Sequence, residues 1–275
     1  MFEILQEEFM RFALISSALI GIVCSYLGVF VVLRRIVFVG IALAQISALG
    51  VATAEFFDKD PMMFALLFTI IGVTIFAPRY GGKRLPTEAI IGIGFAAAWA
   101  FSILILAKAA HGEAHKLHLI RGNILGATGN DIMSLLYVFL PVAAVHGLFY
   151  KQFLFVSFDS EMASTLGIKS GFWNFLFYLT LGLVVAVSIK VAGVLLTFAF
   201  LLLPAVTALS IANSMRSNLV ISGIAAIIAS LAGCMISVQM DLPTGPTIVG
   251  CSFVLFVVVF GFKFIFDKIV SRTSG

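Results

Sequence analysis

The chain has 275 residues, 61% of them hydrophobic and 11% charged, with a formal net charge of +4. A mean hydropathy of +1.16 excludes an ordinary soluble domain, and its repeated apolar runs of about 20 residues match what a bilayer core requires. Backbone groups in that core must be satisfied within the chain, so the spans are expected to be helices; the alternating pattern of a transmembrane barrel is absent.

In chain order, the hydropathy predicts about nine spans, near residues 10–33, 38–57, 62–77, 88–109, 132–150, 172–189, 191–212, 219–240 and 247–266. They are expected to form one all-α polytopic domain over residues 1–275, with the sixth and seventh spans open to being one broken unit. Ahead of the first span, Phe2, Ile4, Leu5 and Phe9 stand beside Glu3, Gln6, Glu7 and Glu8, a pattern suited to a short amphipathic interfacial helix. That span does not read as a cleavable signal, because Met1-Phe2-Glu3 lacks a basic start and no small-residue cleavage site follows. The 24 glycines suit close helix contacts, and the 28 phenylalanines suit bulk facing lipid. Cys24, Cys234 and Cys251 fall inside apolar spans with no ligand-like spacing and are read as small packing residues.

Basic residues set the expected orientation. With an outer N-terminus and a cytoplasmic C-terminus, eleven Lys and Arg residues (among them Arg34, Arg35, Lys151 and Arg216) lie inside and six lie outside. The positive net charge then reflects membrane topology and gives no sign of nucleic-acid binding.

One polar stretch interrupts the apolar pattern at residues 158–168. Asp159 is placed to cap a helix, Glu161 falls in its first turn, where the helix dipole favours a negative charge, and Gly167 after Leu166 suits a left-handed helix end. This orientation puts the short helix in the cytoplasm, between two spans, where a soluble partner can dock. No G-x-x-x-x-G-K-[ST] nucleotide loop occurs, so any ATP-driven activity must come from another chain. G-x-S-x-G and H-E-x-x-H are also absent, and the sequence gives no reason to read it as an intramembrane hydrolase.

The pieces resemble the permeases of ATP-binding-cassette (ABC) importers for zinc, manganese and iron(II). Gly28-Val29-Phe30-Val31-Val32-Leu33-Arg34-Arg35 is similar to their first-span exit, and Ala89-Ile90-Ile91-Gly92-Ile93 after Glu88 to their fourth-span entry. Gly122-Asn123-Ile124-Leu125 resembles part of their outer loop, and residues 158–168 resemble their coupling helix. Lys190-Val191-Ala192-Gly193-Val194-Leu195-Leu196 followed by Leu203-Pro204-Ala205-Val206-Thr207-Ala208 is similar to their most recognisable segment, and Asp241-Leu242-Pro243-Thr244-Gly245-Pro246-Thr247 to their last outer loop. The matches lie in order across nearly the whole chain.

The resemblance implies a fold like that of the vitamin B12 and iron-siderophore importer permeases, with a homodimer enclosing the pathway. It implies a cytoplasmic ABC ATPase dimer that binds the ATP and grips the helix carrying Asp159, Glu161, Leu166 and Gly167, and an extracytoplasmic substrate-binding protein. No cofactor is expected on this chain; a divalent metal would be cargo, and the setting a bacterial-type cytoplasmic membrane. One departure stands out. The family usually carries Asp and, four residues later, His on the second span, a pair that shares a helix face and suits a divalent metal. Here those positions are Ile41 and Gln45. Gln45 and Ser47 then face the pathway as neutral polar groups, or Gln45 simply makes an interhelical hydrogen bond.

A second constellation, His111-Gly112-Glu113-Ala114-His115-Lys116-Leu117-His118, lies in a predicted outer loop. On a helix His111, His115 and His118 share a face; in an extended strand His111, Glu113 and His115 do. Either set suits a zinc-like ion, although Lys116 opposes a cation and a solvated loop is the plain alternative. His146 stands alone in the fifth span and reads as a packed polar residue. Glu88 reads as a helix-start residue, and Lys190 as a residue at the end of a broken helix, its ammonium free to snorkel. Gly193, Pro204 and Thr207 mark either a gate or a proline-bent packing helix.

Two alternatives remain: the same architecture carrying a chelated metal or small organic cargo, and a secondary transporter needing no ATPase. The second predicts ionisable residues near mid-membrane, and none is convincingly central here.

Overall fold

The computed structural model describes residues 8–77, 87–108 and 124–273, and these fold as helices, with no strand among the described residues. The helices are α1 (Glu8–Leu33), α2 (Val37–Phe56), α3 (Pro61–Phe76), α4 (Thr87–Leu106), α5 (Gly129–Leu148), α6 (Tyr150–Phe158), α7 (Ser160–Thr165), α8 (Ser170–Ile211), α9 (Met215–Met240) and α10 (Thr244–Thr273). Seven of them are long and apolar enough to cross a membrane, and α3 is a shorter apolar helix of 16 residues.

Local chemistry sets the helix ends. Asp60 caps α3 by accepting from the backbone N–H groups of Met62 and Met63, and Pro61 takes the first helical position, where its missing donor costs nothing. Thr128 and Asp131 form a reciprocal capping box on α5. Ser214 accepts from Ser217 N–H at the start of α9, and that helix ends at Asp241 in a left-handed conformation with φ of 51°.

α8 holds 42 residues, too many for one crossing, and it doubles back. Asn174 and Phe177 lie against Arg34 at the end of α1, and Ser188 Oγ lies 3.9 Å from Cys24 Sγ, so the first arm runs antiparallel to α1. A straight helix would carry Leu201 about 20 Å beyond Ser188, away from Arg34. Instead the Leu201 carbonyl meets Gly28, back toward the Arg34 end. The reversal falls at Gly193, whose φ of 80° and ψ of 168° belong to a region open almost solely to glycine. Residues 170–192 (α8a) and 194–211 (α8b) are therefore two arms of a helical hairpin, the sixth and seventh spans of the sequence reading. Helical dihedrals continue through Pro204, and the break lies eleven residues earlier, at Gly193. With α3 included, all nine predicted spans fall on helices.

The core is built where α1 and α2 meet this hairpin. α1 packs on α8 and α9, whereas α2 packs on α3, α4 and α8. Small residues recur along α1 at Ala13, Ser17, Gly21 and Ser25, one helical turn apart, and all four are buried. This brings backbones close, with dispersion replacing the solvent-driven term that membrane interiors lack. α10 lies at the periphery and keeps Phe253, Val254, Val257 and Phe260 exposed.

Candidate functional site

At the Arg34 end, the short polar segment adopts a fully capped helix. Asp159 accepts from the N–H groups of Glu161 and Met162, each at 2.9 Å. At the other end Gly167 takes a φ of 81°; its N–H donates to the Ser164 carbonyl, and that of Ile168 to the Ala163 carbonyl. These two bonds form a Schellman cap, the helix end that a Leu-Gly-Ile sequence favours. Only Ala163 of α7 is buried. Met162 and Leu166 are each 61% exposed, so this helix offers a polar start and an apolar side to the surroundings.

The arm carrying α7 is fixed to the bundle by groups that sequence reasoning did not connect. α6 was not expected as a separate element: the sequence reading ends the fifth span at residue 150. Phe153 of α6 is wholly buried, with its ring stacked on His146 at 4.1 Å and edge-on to Trp173 at 5.4 Å. Arg34 completes the joint. Its Nε donates to Ser157 Oγ at 2.8 Å, Nη1 to Asn174 Oδ1 at 2.8 Å and Nη2 to the Phe153 carbonyl at 3.4 Å. Its guanidinium carbon also lies 4.0 Å from the Phe177 ring centre. The sequence signal was an Arg pair ending an apolar span; nothing in the linear pattern shows that Ser157 and Asn174 receive the protons of Arg34. A cavity of about 600 Å³ borders the joint, lined among others by Arg35, Glu88, Ser157 and Asn174.

His146 is a packed polar residue, as expected, and its tautomer follows from its neighbours. Thr180 gives its hydroxyl proton to the Phe177 carbonyl at 2.9 Å, so His146 Nε2, 3.0 Å from Thr180 Oγ1, must be the donor. Nδ1 then carries a lone pair with no hydrogen-bond partner among the described residues.

At the opposite end, Lys190 and Asp131 form an ion pair at 3.6 Å, which ties α8a, just before its reversal, to the capped start of α5. Just past the reversal, the Thr197 hydroxyl donates one turn back to the Gly193 carbonyl at 2.8 Å. Pro204 and Thr207 are buried in α8b, where Thr207 donates back to the Leu203 carbonyl at 2.7 Å. α2 carries Gln45 at 6% exposure and Ser47 at 0%, and Ser47 Oγ has no hydrogen-bond partner among the described residues. Both stand on α2, the helix that packs on α3, α4 and α8, with Ile41 one turn from Gln45.

His111, Glu113, His115 and His118 lie outside the described residues. Among the described residues no group of three or more His, Cys, Asp and Glu side chains comes together to hold a metal ion. The cysteines are unpaired; Cys24 and Cys234 sit beside Ser188 and Ser17, in keeping with packing roles.

The chain is similar to known transport proteins over most of its length. The manganese transport system membrane protein MntC of Halalkalibacterium halodurans is 28% identical over 261 residues, covering 95% of this chain and 89% of the relative. The chelated iron transport system membrane protein YfeD of Yersinia pestis is 26% identical over 250 residues, covering 91% of this chain and 84% of the relative. Among solved structures, PsaBC from Streptococcus pneumoniae in complex with Fab superimposes with a TM-score of 0.83 at 27% identity, covering 93% of this chain and 92% of that one. The family model described as the ABC 3 transport family matches residues 6–263, and the chain belongs to that family.

Proposed function

We propose that the chain is the membrane-spanning subunit of an ATP-driven importer for divalent metal ions, with manganese the first candidate cargo. Family membership and the manganese relative support this reading. The observation that carries the mechanism is α7, a double-capped helix standing clear of the bundle with Met162 and Leu166 exposed. Two copies would enclose the pathway and two ATPase chains would grip the α7 helices through Asp159, Glu161, Leu166 and Gly167. ATP binding and hydrolysis take place on those separate chains. Closure of the ATPases would displace α7 and switch access, a rigid-body transition. The N-terminus would face outside and the C-terminus the cytoplasm, in a bacterial cytoplasmic membrane with the exposed face of α10 against lipid. An extracytoplasmic binding protein would dock at the Asp131 end, with the 111–118 histidines collecting metal for it.

Gln45, Ser47, Gly193, Pro204 and Thr207 are the pathway and gate residues of this reading, and since all five are buried within one copy, a change of conformation would have to uncover them. Ile41 and Gln45 supply no charged ligand, so the passage lowers the barrier without retaining the ion, while the binding protein sets specificity. Tight binding inside would slow release. A second reading, passage of a chelated metal, draws on the same neutral pair and on the chelated-iron relative.

The test is uptake into proteoliposomes holding the chain with its ATPase and binding protein, using bare and citrate-complexed manganese, zinc and iron(II). ATP-dependent accumulation of a bare ion establishes the first reading. Accumulation of complexed metal alone establishes the second, and no accumulation with stimulated ATP hydrolysis points to organic cargo.

A further inference from the structure

We propose that Arg34 is the transmission residue of this permease: it locks the α6–α7 arm to the end of α1 and the start of α8, so that displacement of α7 reaches both. The proposal rests on the reading that α7 is the element the ATPase moves, and it concerns a step which that reading leaves open. A helix with one buried residue cannot by itself drag a bundle. It touches the start of α8 directly, through Ser164 Oγ and Ser170 Oγ at 2.7 Å, but its route to α1 runs through α6, and α6 meets the body through two kinds of contact.

The first is apolar. Phe153 sits between His146 and the Trp173 and Phe177 rings. Contacts of this kind are non-directional, so the rings can slide while remaining buried. The second is Arg34, which is directional. From its place directly after α1, its planar fork ties that helix end to two others at once: α6 through Ser157 Oγ and the Phe153 carbonyl, and α8 through Asn174 Oδ1. A guanidinium has donors in fixed relative directions, so a shift of one acceptor cannot be followed without loss at the others. Ser157 stands two residues before Asp159, the cap of α7, which leaves little chain between clamp and coupling helix in which motion can dissipate. Ser157 Oγ also donates to the Phe153 carbonyl, so Arg34 and Ser157 converge on one α6 oxygen. The Phe177 ring covers the guanidinium, and Phe177 belongs to the α8a arm that runs to the Gly193 reversal.

The geometry therefore makes Arg34 a positioning residue for transport, one that touches neither cargo nor ATP. Lys at this place keeps the charge but cannot span Ser157 and Asn174 together. Gln removes both the charge and the fork.

The experiment compares wild type, R34K, R34Q and the double variant S157A/N174A, each assembled with its ATPase and binding protein in proteoliposomes. Manganese uptake and ATP hydrolysis are read on the same vesicles. For R34Q, ATP hydrolysis persists while uptake per ATP falls by about tenfold, within the usual range for coupling between linked sites. R34K shows the same divergence at smaller amplitude, and S157A/N174A reproduces it with Arg34 in place. If R34Q fails to assemble, R34K and the double variant carry the test. A parallel fall of uptake and hydrolysis in all three variants, or an unchanged ratio, overturns the proposal. The α7 reading is checked apart from it by M162D/L166D, read as retention of the ATPase during purification. If the ATPase stays bound to that variant, the α7 reading fails, whatever the Arg34 variants do.

Discussion

The backbone carbonyl of Leu201 lies so near Gly28 that a Cβ built on the glycine would sit 1.9 Å from the oxygen. This contact holds the returning arm of the α8 hairpin against the C-terminal part of α1, and glycine is the residue that permits it. The obstructing atom is backbone, which cannot rotate aside as a side chain can.

Gly28→Ala must accordingly push α8b away from α1. Overpacking of this kind costs about 1–3 kcal/mol, and the thermal midpoint of the detergent-solubilised protein should fall. Gly223→Ala is the control, because a Cβ there meets nothing within 4 Å. That substitution should be neutral or slightly stabilising, as alanine suits a helix better than glycine. Equal midpoints for the two variants would show that the α1–α8b contact is looser than described.

Gly193 is demanding for a different reason. Its φ of 80° and ψ of 168° are closed to residues with a side chain, and the whole reversal between α8a and α8b turns on them. Gly193→Ala should cost about 1–3 kcal/mol in strain and lower both folded yield and uptake. Lys190, three residues earlier, gives a milder comparison: Lys190→Ala removes only a half-exposed ion pair with Asp131 and should leave the yield unchanged. Comparing monodisperse yields of the two variants checks the point.

Much of this was legible in the sequence because it depends on local chemistry. Apolar runs locate the spans, and Asp159 and Gly167 are residue types that start and stop helices on their own account. Gly193 was visible as part of a suspected break. Its consequence, a complete reversal, was not, since Gly28 and Leu201 are far apart in sequence. Pro204 drew attention as a helix breaker, yet helical dihedrals run through it; in an apolar bundle neighbouring helices tolerate the freed carbonyl. The Arg34 joint was hidden for the same long-range reason. Ser157 and Asn174 are ordinary residues until folding carries them to one guanidinium.

The neutral pair on α2 yields a prediction of small effect. Gln45 is buried and supplies no charge, so Gln45→Ala should leave manganese uptake within about twofold of wild type, as a pathway that does not retain its ion allows. The converse substitution is more informative. Ile41→Asp with Gln45→His sets a carboxylate and an imidazole one helical turn apart. Metal should then co-purify with the protein and turnover should slow. Loss of uptake in Gln45→Ala alone would instead make the amide a working ligand.

Glu161 sits in the first turn of α7, beyond the Asp159 cap, and is exposed. A carboxylate there complements the helix dipole by about 0.3–1 kcal/mol, too little to decide whether the protein folds. On the proposed reading Glu161→Lys reverses that charge on the surface that meets the ATPase, so the permease should remain folded while ATPase association weakens and uptake drops. Glu161→Gln, which is neutral and similar in shape, should lie between the two. Co-purification of the ATPase and uptake from the same preparations separate the possibilities. A folded Glu161→Lys permease with normal uptake would remove α7 as the site where ATP-driven motion enters the membrane.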